Sequence, residues 1–382
     1  MPAIPRPEPE FPPDGCMINA EFLPLSDDGI PRLAESVPPL SSGEEFAFDP
    51  RFFLASISKR QWTPRVVVVR ENRRVLGYLY AKERRVANFN TGILYADGSL
   101  ISSVLANPGD RARVLHTALR FLFSRPGVRA LRMLVPPGDP DLPAVQEALS
   151  CRDVDVYRSD MNTYHSRLAL ASDYDEFLAR LGKKTRRNFR YYRRHFEAAG
   201  GRYLEHVTLD EFTSAAHQLD KKSCIPVNPD SLQRFLRMMA VVQRPFMPAL
   251  RGPDGQWLAI LGGWHSPHST MVFLQLNNDR DHPQDSLSVV LRGYVIEALI
   301  ARGMQEVLFW AGSSAPLSWH CSPVPAVAIY LDARTPLWRS FRYAAARVAS
   351  WFPKFAYPAW IAPPRAGTGL VPDAFHRRPT DT

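Results

Sequence analysis

The sequence predicts an α/β fold of two consecutive units, each a mixed, mainly antiparallel sheet with flanking helices. Three observations carry this. A length of 382 residues fits two units of about 150 residues each. Runs rich in β-branched and aromatic residues alternate with segments of helical spacing. The order helix, strands, helix, strand occurs over 46–160 and again, with more elements, over 161–333. An antiparallel meander followed by a helix and a parallel strand is a sandwich with one crossover, and it leaves a cleft where its antiparallel and parallel parts meet. No clear repeat of sequence accompanies this order, so the duplication is structural.

Residues 1–45 are rich in proline and acids and read as a flexible leader with at most one strand. A helix is expected over Asp49–Arg60. The run from Arg65 to Lys82 turns at Glu71-Asn72, a hairpin signal, and a third strand falls near Asn88–Leu94. Pro108-Gly109-Asp110 introduces the periodic segment RARVLHTALRFLF, and Pro126-Gly127 leads into the strand VRALRMLV. In the second unit a basic helix over 172–201 precedes a strand at Arg202–Val207. Thr208 with Glu211 forms a capping box, and Asn228 followed by Pro229 starts a further helix. Strands follow at Phe246–Arg251, Trp257–Trp264 and Thr270–Asn277. The polar loop NDRDHPQDS leads to a helix over Leu287–Arg302, then to strands at Glu306–Trp310 and Ala326–Leu331. Residues 334–382 read as a basic aromatic helix and a disordered tail.

Hydrophobic residues make up 45% of the chain and charged ones 22%, which suits packed cores in a soluble protein. No run of about 18 apolar residues occurs. The N-terminus has acids and prolines where a signal peptide needs a basic start and an apolar core, so a cytoplasmic location is expected. Cys16, Cys151, Cys224 and Cys321 are far apart with no CxxC, which points away from a disulfide framework and a zinc ribbon. His265 and His268 flank Pro267 without a third ligand, so they mark a turn, and no metal is expected.

Charge is concentrated in the basic helix. Arg180, Lys183, Lys184, Arg186, Arg187, Arg190, Arg193 and Arg194 come without an interleaved acid and account for all but one of the +9 net charge. At 100° per residue, Leu181, Thr185, Phe189, Tyr192 and Phe196 fall on one stripe, with Lys183, Arg187, Arg190 and Arg194 opposite. Ser172 with Asp175 resembles a capping box, and Gly182 can split the segment in two. Eight cations with no acid interleaved between Arg180 and Arg194 suit an anionic partner: nucleic acid, phospholipid or a phosphorylated cofactor. A solvated face is the other reading.

The segment LxxLGKKTRRNFRYYRR with its downstream AGG, the strand pair ending in GGW and FLQLNNDRD, and LRGYVIEALIARGMQEVLFWAG resemble the GNAT-type acetyltransferases that include the CelD/BcsL cellulose-biosynthesis proteins. The resemblance covers about 165–315, and 45–150 only in element order. The family is related in fold to the FemABX transferases, which carry two GNAT domains in tandem. It implies transfer of an acyl group from acyl-CoA, as co-substrate, to an amine or hydroxyl. It also implies that strands 270–277 and 306–310 splay apart to bind the pantetheine arm, with pyrophosphate at the following helix N-terminus. Gln275, Asn277, Ser286 and Ser288, together with Lys183, Lys184, Arg187 and Arg190, are the expected cofactor-binding residues. Where the superfamily has a glycine-rich phosphate loop, this chain has Asn278–Ser286, with three acids and no glycine. Asp281, His282 and Asp285 can orient or deprotonate an amine there, and Glu306 begins the second splayed strand, so these four are the catalytic candidates. The same loop also reads as a helix cap.

Gly312-Ser313-Ser314 lacks the second glycine of a nucleophile elbow, which excludes a serine hydrolase of that kind. Trp319-His320-Cys321 sits where a GNAT protein would bind its acceptor, a small molecule or peptide, and irregular packing is the alternative. The expected partners also include tRNA, as in FemABX-like aminoacyl transfer, and a membrane surface touched by the aromatic and basic segment 335–358.

Overall fold

A computed structural model of the chain describes residues 18–23, 50–58, 60–72, 74–86, 89–96, 104–107, 109–139, 154–224, 227–242, 244–310, 317–335 and 338. Among them, fourteen strands join in one sheet. In the first half, β1 (Ile18–Phe22), β2 (Trp62–Glu71), β3 (Arg74–Val86) and β4 (Phe89–Ala96) pair antiparallel in chain order, with α1 (Pro50–Ser56) preceding β2. The β2–β3 turn puts Asn72 at φ 55°, a left-handed position that asparagine accepts more readily than most residues. The short β5 (Val104–Ala106) pairs with β3, α2 (Arg111–Ser124) crosses over, and β6 (Ala130–Val135) returns parallel to β4. α2 buries Val114, Leu115, Ala118, Leu119 and Leu122, one stripe of an amphipathic helix, against the sheet.

The second half begins with β7 (Val154–Ala169). It continues through α3 (Tyr174–Arg180), α4 (Lys183–Ala198), β8 (Arg202–Leu204), α5 (Leu209–Asp220) and α6 (Pro229–Val241). Then come β9 (Pro245–Phe246), β10 (Ala249–Arg251), β11 (Trp257–His265), β12 (Ser269–Asn277), α7 (Leu287–Ala301), β13 (Glu306–Phe309) and β14 (Ser322–Ala333). Across the sheet the main order is β1-β2-β3-β4-β6-β14-β7-β13-β12-β11-β10-β8. One face of the second half is packed by α3, α4 and α7. The other is packed by α5 and α6, joined by Phe52 and Ala55 of α1. The two halves therefore exchange elements: α1 packs on the second, and β14 pairs with β6 of the first through Val327–Asp332.

The capping box Thr208/Glu211 and the Asn228-Pro229 start form as the sequence predicts. The basic segment breaks at Leu181-Gly182, the split that Gly182 allows, with Gly182 capping α4. Other details differ. The cap of α3 is Asp173, which accepts from the Glu176 amide at 2.7 Å, one residue later than the Ser172/Asp175 pair; Ser172 instead donates to the Glu176 carboxylate. The strand expected over Phe246–Arg251 divides into β9 and β10. A further difference is β7, a 16-residue strand the sequence reading leaves unassigned. Its side chains include Asp155, Asp160 and Asn162, poor strand formers, and it is held as a strand by β14 and β13 pairing on its two sides. The leader apart from 18–23, and the tail beyond Trp338, lie outside the described residues.

Candidate active site

The parallel pair β12–β13 opens into a gap. Its ladder runs from Ser269↔Glu306 to Val272↔Phe309, and the Trp310 amide donates to the Val272 carbonyl at 2.8 Å. Among the described residues, those of β12 beyond Val272, Phe273–Asn277, have no partner on the β13 side and pair only toward β11. The register shifts at Gly262/Gly263, opposite Leu274 and Val272, so that Phe273 is the extra residue of a bulge. Glycine is needed at 263, because a Cβ there would collide with the Met271 carbonyl oxygen. A sheet interior with unpaired strand backbone offers hydrogen bonds to an extended ligand.

Polar side chains line the gap on its α7 side. Gln275 and Asn277 stand opposite Leu261 and Ala259, which belong to the core beneath α7. The Gln275 Nε2 donates to Asn277 Oδ1 at 3.3 Å, and its Oε1 accepts from Arg292 Nε at 2.9 Å. Arg292, on α7, is 7% exposed and lies 5.6 Å from the Phe309 ring, so it reaches both sides of the gap. Burial pushes its guanidinium down to about 10, with Cys321 acting in the opposite sense. The sequence reading missed Arg292, whose signal was a lone cation inside an apolar helical run.

At the end of β12 the acids of the loop are tied down. Asn278, wholly buried, donates from Nδ2 to Asp281 Oδ2 at 3.1 Å, and Lys222 Nζ lies 2.7 Å from the same oxygen. The Lys222 hydrogen bond, followed by that of Asn278, holds the Asp281 carboxyl below its usual range. His282 Nδ1 lies 2.8 Å from Asp285 Oδ2, and His195 Nε2 of α4 lies 3.8 Å from Asp285 Oδ1. Two of the three acids thus face a cation or an imidazole, which lowers the barrier to an anionic ligand that the sequence alone suggests. Ser286, the residue before α7, is left-handed at φ 46° and makes no side-chain cap bond. Ser288 lies in the first turn of α7.

The structure brings Gln275, Asn277, Asp281, His282, Asp285, Ser286 and Ser288 to one end of the gap. Glu306 lies at the other, beside Ser269 and 3.1 Å from Arg167 Nε. At about 3.3 Å per residue the length of β12 puts roughly 26 Å between them. On α4 Phe189 and Phe196 are buried, as is Leu181 just before it, and Lys183, Lys184, Arg187, Arg190 and Arg194 are exposed. Arg190 pairs with Asp175 at 3.0 Å, and Arg193 with Glu297 at 2.6 Å. Lys183, Lys184, Arg186, Arg187 and Arg194 make no ion pair among the described residues. Lys183 and Lys184 occupy the first helical turn, where the helix dipole disfavours cations. They sit about 17 Å along α4 from His195, so they form a surface separate from the loop.

His165 on β7, 5% exposed, is edge-on to Trp310 with ring centroids 5.0 Å apart, at the foot of the gap. Burial lowers its pKa to about 4, so it is neutral at pH 7. The sequence reading missed it too. His265, expected in the turn, is instead the last residue of β11, paired with Thr270, with Nδ1 2.9 Å from Thr270 Oγ1 and Nε2 3.2 Å from Arg302, and the turn begins after it. Residues 317–320 form a short 3-10 turn with Leu317 buried and Trp319 exposed, and 311–316 lie outside the described residues. Among the described residues no group of His, Cys, Asp and Glu is arranged to hold a metal ion, and no helix is long and apolar enough to cross a membrane.

This architecture, an extended mixed sheet with one opened parallel pair, has solved counterparts. FemX matches with a TM-score of 0.51 over 84% of this chain and 99% of its own, at 8% identity. A conserved protein of unknown function from Bacteroides thetaiotaomicron also gives 0.51, over 81% and 99%, at 11% identity. A tandem GNAT protein from the clavulanic acid biosynthesis pathway aligns over 83% and 99% at 15% identity, with a TM-score of 0.41. At these identities the FemX and Bacteroides likenesses show a shared fold. No family model matches the sequence, and no curated protein matches it.

Proposed function

We propose that the protein is an acyltransferase of the GNAT type, moving an acyl group from acyl-CoA to an amino or hydroxyl group of a sugar, peptide or cell-envelope precursor. The single observation that supports this most is the β12–β13 ladder, which among the described residues runs for four pairs and leaves Phe273–Asn277 without a partner on that side, toward the start of α7. An extended pantetheine arm suits that edge, with Gln275 and Asn277 beside it and the first amides of α7, at Ser286 and Ser288, toward the phosphates. In the transfer, the acceptor nitrogen or oxygen attacks the thioester carbonyl, the C–S bond breaks, and the thiol leaves with a proton. His282 takes the acceptor proton, oriented by Asp285; Asp281 fixes the loop through Lys222, and Glu306 braces the closed end of the gap. The CelD/BcsL resemblance supports a role in polysaccharide biosynthesis.

The test is calorimetry of the purified monodisperse protein with acetyl-CoA and longer acyl-CoAs. Micromolar binding is expected, and no heat with any of them sinks the CoA reading. A second reading, aminoacyl transfer from tRNA, is favoured by the five cations of α4 that make no ion pair among the described residues and by the likeness to FemX. It requires aminoacyl-tRNA binding that weakens steeply with salt. Binding of RNA or anionic lipid without turnover of any thioester would instead indicate a non-catalytic scaffold.

A further inference from the structure

Four large apolar side chains are prominently exposed among the described residues: Val86, Phe89, Tyr191 and Trp319. Two of them face each other. Val86, 53% exposed, and Phe89, 76% exposed, are register partners at the tip of the β3–β4 hairpin. An apolar pair at a projecting tip gains nothing from the fold and costs solubility, so it needs an occupant.

The surroundings define the occupant's chemistry. Lys82, Arg84 and Arg85 share the hairpin, and Arg60 is exposed beside Gln61, whose carbonyl accepts from the Arg85 amide. Lys82 Nζ and the Arg84 guanidinium each lie 4.9 Å from the centre of the Trp62 ring, which stands edge-on to Tyr95. The acid of the same strand, Glu83, is 6% exposed and engaged by Arg65 at 2.7 Å and the Gly92 amide at 2.8 Å, so it does not screen these cations from outside. Trp338 docks at the hairpin's base, packed with Ile93, Ala130 and Tyr95 and 5.8 Å from the Arg129 guanidinium. In sequence, Trp338 opens the aromatic and basic stretch Arg339–Lys354.

We propose that the β3–β4 hairpin tip docks the protein on an anionic phospholipid surface, with Val86 and Phe89 entering the boundary between headgroups and acyl chains. Lys82, Arg84, Arg85 and Arg60 then meet lipid phosphates, while Trp62, Tyr95 and Trp338 lie at the headgroup level. An aliphatic and aromatic tip ringed by cations matches that boundary on both counts. Nucleic acid would match the cations alone.

The test is vesicle co-sedimentation of the full chain with phosphatidylcholine alone and with added phosphatidylglycerol. The protein binds the anionic vesicles only. Val86→Ser with Phe89→Ser lowers the partition coefficient at least tenfold, and Arg84→Gln or Arg85→Gln each lower it roughly fivefold, in a salt-dependent manner. Neutralising Lys183, Lys184 and Arg187 on α4 leaves the binding in place. A Phe89→Trp variant shows a larger blue shift of emission on anionic vesicles than the wild-type chain, whose own eight tryptophans set the baseline. Equal binding to neutral vesicles, wild-type binding by the double serine variant, loss of binding through the α4 variant, or no larger shift in the Phe89→Trp variant each overturn the proposal.

Discussion

The two parallel strand pairs among the described residues, β4–β6 and β12–β13, are each reached through a crossover helix and end differently. In the first, the ladder from Ile93↔Ala130 to Ala96↔Met133 holds to the last residue of β4, and β14 then covers the far side of β6. In the second, the ladder among the described residues reaches Val272, and β12 runs on for five residues more. The first pair is the more sealed, with Leu134 and Val135 of β6 running past its four-pair ladder; the second leaves five residues of β12 without a described partner on that side, beside the buried Arg292. One topology thus yields a brace in one place and a cleft in another, and a bulge with two glycines accompanies the change.

The largest effect should come from that bulge. Gly263→Ala forces a Cβ against the Met271 carbonyl and should cost roughly 3 kcal/mol or more, read by urea unfolding, with acyl-CoA affinity lost as well. A stable, fully binding variant would detach the gap from the bulge. The next follows from His165, at the foot of the open pair and without a counterpart in the sealed one. Its folded pKa of about 4 lies below the ordinary 6.5, so the folded state favours the neutral ring. The stability it contributes is complete above pH 6.5 and is lost as pH falls toward 4, by up to about 3 kcal/mol at 1.36 kcal/mol per unit. Thermal melts between pH 7 and pH 4 should show this fall, and His165→Gln should flatten it. Smallest is Arg292→Met, which keeps the bulk of the side chain and removes the donor to Gln275. It should weaken acyl-CoA binding about tenfold, roughly 1.4 kcal/mol, by calorimetry. Met133→Ala in the sealed pair should leave that affinity unchanged, although it destabilises the fold.

Much of this was legible in the residues. Strong periodicity placed α2, α5, α6 and α7, and capping residues marked the starts of α5 and α6, because those signals are local. β7 was not legible, since Asp155, Asp160 and Asn162 become strand residues only when β14 and β13, more than a hundred residues downstream, pair on either side. The site shows the same division. The loop 278–286 was recognisable from its polarity and position, whereas its salt bridge needed Lys222, remote in sequence. His165 and Arg292 acquire their meaning from burial, which no local pattern displays.

The return of β14 to β6 has a consequence for synthesis on the ribosome. The partners Val135 and Val327 are separated by about 190 residues, so the sheet of the first half stays unfinished until almost the whole described chain has been made. A nascent chain lacking residues 322–333 presents open edges on both β6 and β7, the kind of surface that other chains or chaperones capture. Quality control at the C-terminus is therefore built into the topology: a truncated product cannot close its central sheet, and it exposes that failure along two strands at once.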